Sequence, residues 1–293
     1  MPRAANAGVF ATAAAVLFYA VSSAYAQQPP PLIRRHHHGT YKNDQGIDVI
    51  DATPQSPPVE TDDPNVPDPH EWEINLTTLA DLSSASRRLD LLLIDANYGV
   101  LPSIVGHHVP TQLKFEFPLS GARTAGDRYS FGVGAARAGV KLNFYTHERI
   151  GLSMAIYPQL EFVLPPGDAV KKDLAEPGQR VILPLLVSKD FRYGTIVANG
   201  GIETPLHDPE GDFSVPVSLA FGRAVTRKLA AMVEIRGESA LTPGSHRLMF
   251  VNAGATRSVG HVVFYGNWGE SLASNDDIAH SYFGAGVKMM VRH

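Results

Sequence analysis

Gln112-Leu113-Lys114-Phe115-Glu116-Phe117-Pro118-Leu119 sorts its side chains by parity. In an extended chain successive side chains point to opposite faces, so Leu113, Phe115, Phe117 and Leu119 make one apolar wall while Gln112, Lys114 and Glu116 make a polar one. The same period returns at residues 71–76, 153–162 and 232–238, where Glu234, Arg236 and Glu238 alternate with Val233 and Ile235. Two architectures share this signature. A soluble sandwich or lipocalin-like barrel hides the apolar wall, whereas a transmembrane β-barrel turns it to lipid and keeps the polar wall around a wet interior. Aromatic residues near the strand ends, Trp72, Tyr98, Tyr145, Phe162, Phe191, Tyr193, Phe213 and Trp268, suit the interfacial girdles of the membrane form.

Working outward, twelve strand-length segments follow residue 70: 71–79, 88–98, 111–119, 129–145, 150–162, 180–191, 195–205, 213–224, 229–239, 247–255, 261–268 and 280–291. An even number returns the chain to the side it started from, and about 19 residues per strand and connection leave no room for crossover helices. Tight connections at 146–149, 192–194, 225–228 and 256–260 alternate with longer polar ones at 120–128, 163–179 and 269–279, as periplasmic turns and extracellular loops do. Residues 99–110 break the rule. The expected fold is all-β: an up-and-down antiparallel transmembrane barrel of about 12 strands over residues 70–293, in the outer membrane. Pro118, Pro158, Pro184 and Pro216 fall inside predicted strands in the extracellular half, where a missing N–H implies bulges that loosen the wall toward lipid.

Residues 1–26 read as a signal peptide, with Arg3, an apolar run over 9–21 and the small-residue signature Ala24-Tyr25-Ala26. Its removal leaves 24 basic and 29 acidic residues, a formal charge of -5, which argues against a nucleic-acid partner. Charged residues are 18% of the chain and cysteine is absent, excluding disulfides and thiolate metal sites. Residues 27–69 hold nine of the 22 prolines without hydrophobic periodicity, and read as a disordered Pro-rich tail. His36, His37 and His38 lie within it as a solvated tract.

Charges turned to lipid at the midplane cost about 2–4 kcal/mol each for Arg or Lys, so the charged faces of the strands are expected inside. The predicted lumen lining is Glu71, Glu73, Asp95, Lys114, Glu116, Glu161, Lys189, Glu203, Glu234, Arg236, Glu238 and Lys288, eight acids against four bases. Such a wall either pairs its charges into a plug or leaves a polar channel. No catalytic residue, metal site or cofactor is expected: there is no Gly-x-Ser-x-Gly elbow, Gly132-Val133-Gly134 lacks a third spaced glycine, and His107 and His108 suit a solvated turn. Asp208, Glu210, Asp212, Asp276 and Asp277 read as solvated loop acids.

His70-Glu71-Trp72-Glu73-Ile74-Asn75-Leu76, Leu93-Ile94-Asp95-Ala96-Asn97-Tyr98-Gly99 with 113–119, Gly132-Val133-Gly134 with Gly139-Val140-Lys141, and residues 182–188 carry a resemblance. Over most of residues 70–291 the chain resembles the meta-pathway of phenol degradation family of outer-membrane β-barrel transporters. The resemblance implies a barrel with a passive transport role and no catalytic residues. The function expected is a passive channel or transporter for a small, hydrophobic or aromatic solute. The expected partners are the lipid bilayer, lipopolysaccharide, that solute and the barrel-assembly machinery. The alternatives are a non-transporting surface barrel and a lipid-modifying barrel enzyme.

Overall fold

The computed structural model describes residues 40–42, 46–83, 86–104, 107–124, 128–164, 168–206, 213–240, 247–274 and 280–292. Residues 1–26, read above as a signal peptide, the tract His36–His38, and the acids at 208, 210, 212, 276 and 277 lie outside them. Twelve antiparallel strands form the wall. They are β1 (Glu71–Ser83), β2 (Ser86–Val100), β3 (Thr111–Thr124), β4 (Ser130–Val133 continuing as Ala135–His147), β5 (Leu152–Ile156 continuing as Gln159–Val163) and β6 (Gln179–Phe191). The other half is β7 (Gly194–Leu206), β8 (Ser214–Thr226), β9 (Leu229–Ala240), β10 (Arg247–Val259), β11 (Val262–Ser274) and β12 (His280–Arg292). Each pairs with its sequence neighbour, and β12 pairs with β1 from His280↔Ser83 to Arg292↔Glu71, closing the barrel without a free edge.

The wall is inside-out, as the parity of residues 112–119 demands. Lys114 is 8% exposed and Phe115 beside it 45%; Glu234 is 2% exposed and Ile235 37%. Leu113, Leu119, Val217, Leu219, Phe264 and Phe283 share the exposed outer belt. A soluble barrel would show the opposite polarity, so the apolar belt assigns this fold to a bilayer.

Connections sort onto two rims. Short turns at Glu148–Ile150, 192–193, 227–228 and 260–261 occupy the rim where β1 begins and β12 ends, the periplasmic one for this architecture. The long 101–110 connection there carries a small hairpin, Ser103–Ile104 against His107–His108, with both histidines exposed. On the other rim the β5–β6 connection folds inward: the fully buried Leu174 packs with Ala122 and Ala169, and touches the Cα side of Gly132, where a side chain would displace it.

The four prolines sit where the ladder falters. Pro158 separates the two halves of β5, Pro118 accepts a bond from Gly134, which interrupts β4, and the β7–β8 register skips Gly201 and Pro216. Pro184 pairs with Gly201. The break at Pro158 is bridged on both sides, Val140 N–H donating to the Pro158 carbonyl at 3.0 Å and Tyr157 N–H to that of Pro184 at 3.1 Å. The wall bends there and stays closed.

The departure from expectation is the Pro-rich segment. Residues 46–69 do not trail from the barrel; they thread into it. Between Ile50 and Pro67 every residue except Glu60 is buried or half-buried. The segment enters at the periplasmic rim, where Ile50 N–H donates to the Arg227 carbonyl at 2.8 Å and Ile50 and Ala52 pack on Ala230 and Val263. It climbs to Glu60–Thr61, then descends to Asp68 and to His70, whose N–H donates to the Gly99 carbonyl at 2.9 Å as β1 begins. The inner wall thins where the segment's backbone presses: a side chain at Gly222 would collide with the Ala52 carbonyl, and one at Gly99 with that of Asp68.

Candidate functional site: the lumen and its plug

Of the twelve predicted lining residues, ten face the interior. On one side Lys114 Nζ lies 3.5 Å from Asp95 and 3.1 Å from Glu116, and Arg137 pairs with Glu161 at 2.8 Å across β4 and β5. Asn75 donates to Glu73 at 3.0 Å and to Asp95 at 3.1 Å, Asn97 to Asp95, and Gln112 to Asn97 at 2.6 Å. Lys288 reaches Glu73 at 3.2 Å. Arg180 pairs with Glu203 at 2.8 Å, and Arg292 with Glu71 at 2.7 Å near the periplasmic rim. Each buried acid here has a cation or amide beside it, the condition for holding charge out of bulk water.

Lys189 is a correction. Leu186 and Ser188 are the buried positions of β6, so Lys189 points outward; its ammonium donates to the Ile150 carbonyl and lies 5.8 Å from the Phe191 ring. It covers apolar surface with its stem and keeps its charge at the rim. The side chain of Glu238 lies outside the described residues; its backbone pairs with Pro216 and Leu248.

The remaining polar groups grip the inserted segment, the plug. Glu234 is the main clasp. Its carboxylate accepts the Thr61 N–H and hydroxyl, each at 2.5 Å, the Glu60 N–H at 3.3 Å, and an Asn252 amide bond. Lys288 donates to Gln55 Oε1 at 2.6 Å. Lys141, buried beneath the Tyr157 ring, lies 3.7 Å from Asp62 and donates to the Asn65 carbonyl at 3.4 Å; Asn143 donates to the Pro64 carbonyl at 2.9 Å. Residues 46–69 carry six acids and no Lys or Arg, and apart from the Glu234 clasp, where the plug donates, the wall meets it with donors from Lys141, Asn143 and Lys288. Lys141, Asn143, Arg137 and Asn252 were not among the predicted lining residues. The alternation of Arg137, Gly139, Lys141 and Asn143 with the apolar Ala138, Val140, Leu142 and Phe144 carries the signal.

No metal-binding cluster and no helix long and apolar enough to span a membrane occurs among the described residues. No protein-family model matches the chain, and no curated protein matches it by sequence. Solved structures do. The chain is similar to the COG4313 outer membrane channel from Pseudomonas putida F1 at 10% identity and a TM-score of 0.63, over 81% of this chain and all of that one. The fold is that of an outer-membrane β-barrel. Weaker likenesses are to the NanC porin (6% identity, TM-score 0.49, 74% of this chain and 98% of that one) and the β domain of the Bordetella autotransporter BrkA (12%, 0.46, 75% and 98%).

Proposed function

We propose that this protein is a passive outer-membrane channel whose lumen is closed at rest by its own N-terminal plug, and that it admits a small, hydrophobic or aromatic solute. The observation that carries the reading is the chemistry of the plug's seat. Glu234, Lys141, Asn143 and Lys288 are buried polar groups that a structural barrel has no need to gather, and they hold the plug through hydrogen bonds. The plug's apolar contacts fall mostly on small wall residues: Ile50 and Ala52 pack on Ala230 and Val263, Pro54 lies against Gly222, and Pro58 and Val59 lie against Gly254. A segment fastened by exchangeable hydrogen bonds leaves a water-filled pore at modest cost. Membership of the meta-pathway of phenol degradation family belongs to the same proposal, as do lipopolysaccharide and the assembly machinery as partners.

Deleting residues 47–67 tests it. Planar-bilayer recordings are expected to show stable conductance steps severalfold above those of the full chain, with faster uptake of aromatic solutes in liposome swelling. A deletion that folds and stays silent would overturn the channel reading. The enzyme reading finds little support. Asp81 and His280 are 3.2 Å apart, but the Ser271 hydroxyl beside them accepts the main-chain N–H of His280.

A further inference from the structure

Above the plug's tip the inner wall changes character. Arg236 of β9 lies with its guanidinium carbon 4.4 Å from the centroid of the Phe250 ring on β10 and 5.7 Å from that of Tyr282 on β12. His280 stands edge-on to Phe250 at 6.3 Å. Among the described residues no carboxylate lies within ion-pair distance of Arg236, and its buried Nε–H has no hydrogen-bond partner. An arginine with two rings against its guanidinium and an unpaired buried Nε–H is a fork for a carboxylate, and the rings offer a stacking surface for whatever the carboxylate is attached to.

A carboxylate already stands on one of these rings, that of Tyr282. Glu60 is the one exposed residue between Ile50 and Pro67, and its Oε1 accepts the Tyr282 hydroxyl at 2.5 Å. The adjacent peptide is clasped by Glu234 through the Glu60 and Thr61 N–H groups. We infer that Arg236, Phe250 and Tyr282 form a binding site for a small aromatic carboxylate, and that the plug's Glu60 is its built-in competitor. A ligand carboxylate on Arg236 and the Tyr282 hydroxyl takes the position of the Glu60 side chain, and repulsion between the two acids loosens the tip. Arrival of the solute and release of the plug are then one equilibrium, in which ligand and plug tip weaken each other reciprocally. This rests on the channel reading for its consequence, not for the site itself.

The test is calorimetric titration of sodium benzoate into the full-length protein in detergent, with benzyl alcohol and sodium acetate as comparisons. Benzoate is expected to bind more tightly than either. Arg236→Gln is expected to weaken it by about tenfold or more, the scale of a lost charged hydrogen bond. Phe250→Leu, which leaves the charge in place, is expected to weaken benzoate but not acetate. Glu60→Gln is expected to tighten benzoate severalfold by removing the competitor. Equal binding of the three probes, or benzoate affinity unchanged in Arg236→Gln, overturns the site; unchanged affinity in Glu60→Gln overturns the competition. If the 47–67 deletion conducts while the full chain ignores benzoate, this inference fails and the channel stands. If the deletion is silent while benzoate binding depends on Arg236, the channel reading fails and the site stands.

Discussion

Glu234 shows how much one lumen residue holds. Its carboxylate satisfies two backbone N–H groups and one hydroxyl of the plug, and is itself oriented by Asn252. Charged hydrogen bonds of this type contribute about 1.5–3 kcal/mol each, so Glu234→Ala is expected to raise the open fraction of the channel by roughly tenfold to a hundredfold while the barrel stays folded. Single-channel open probability reads this directly. Lys288 carries a different burden, pairing with Glu73 inside the wall while donating to Gln55 of the plug. Lys288→Met strands a buried carboxylate and is expected to cost about 3–5 kcal/mol of barrel stability, read as earlier loss of the heat-resistant form on gels. Adding Glu73→Gln is expected to restore most of it, because the stranded charge is gone. Lys189 marks where residue-level reading misled. Residues 181–187 are apolar on both faces, so parity gives no phase there, and the buried Leu186 and Ser188 leave Lys189 to the outer rim.

The twelve wall strands were legible in the sequence because, β6 apart, they alternate over enough residues to fix their own faces, and a chain neighbour supplies their hydrogen bonds. The plug was not. Its prolines and acids show no period, and its order comes from partners more than 70 residues away, as between Asn143 and Pro64 or Lys288 and Gln55. Local bonds, Thr53 N–H to Asp51 and Asn65 N–H to Asp63, shape its turns, but only the closed wall creates the partners that hold it in place. Glycine on the wall is the trace the plug leaves. Gly222→Leu puts a side chain where the Ala52 carbonyl rests, and is expected to raise basal conductance as Glu234→Ala does, without touching a charged group. The strand prolines were legible as anomalies, and the bridging bonds at Pro158 show how the wall absorbs them. A sideways route to lipid through that region remains a proposal. Replacing Pro118, Pro158, Pro184 and Pro216 together with Val is expected to slow uptake of an apolar solute if the route operates, and unchanged uptake would dismiss it.

At the scale of the molecule the decisive property is polarity reversal: a barrel that keeps amides, ammonium groups and carboxylates around its axis and presents Leu, Val, Ile and Phe outward. That arrangement is stable only where the surroundings are oily, since in water the exposed belt would drive association. The same substitution should therefore have unequal effects on the two faces. Leu219 of β8 is 50% exposed on the outer face, beside Ile235, while Asn199 of β7 faces inward opposite Ser218. Leu219→Arg places a cation in the hydrocarbon and is expected to cost about 2–4 kcal/mol if the site lies near the midplane. Asn199→Arg enters a polar interior already lined with charge and is expected to cost far less, because the guanidinium remains among polar neighbours. Equilibrium folding into lipid vesicles across a urea series compares the two. Equal destabilisation, or a larger loss for Asn199→Arg, would mean that the polar face is the packed one and that the exposed belt does not meet lipid.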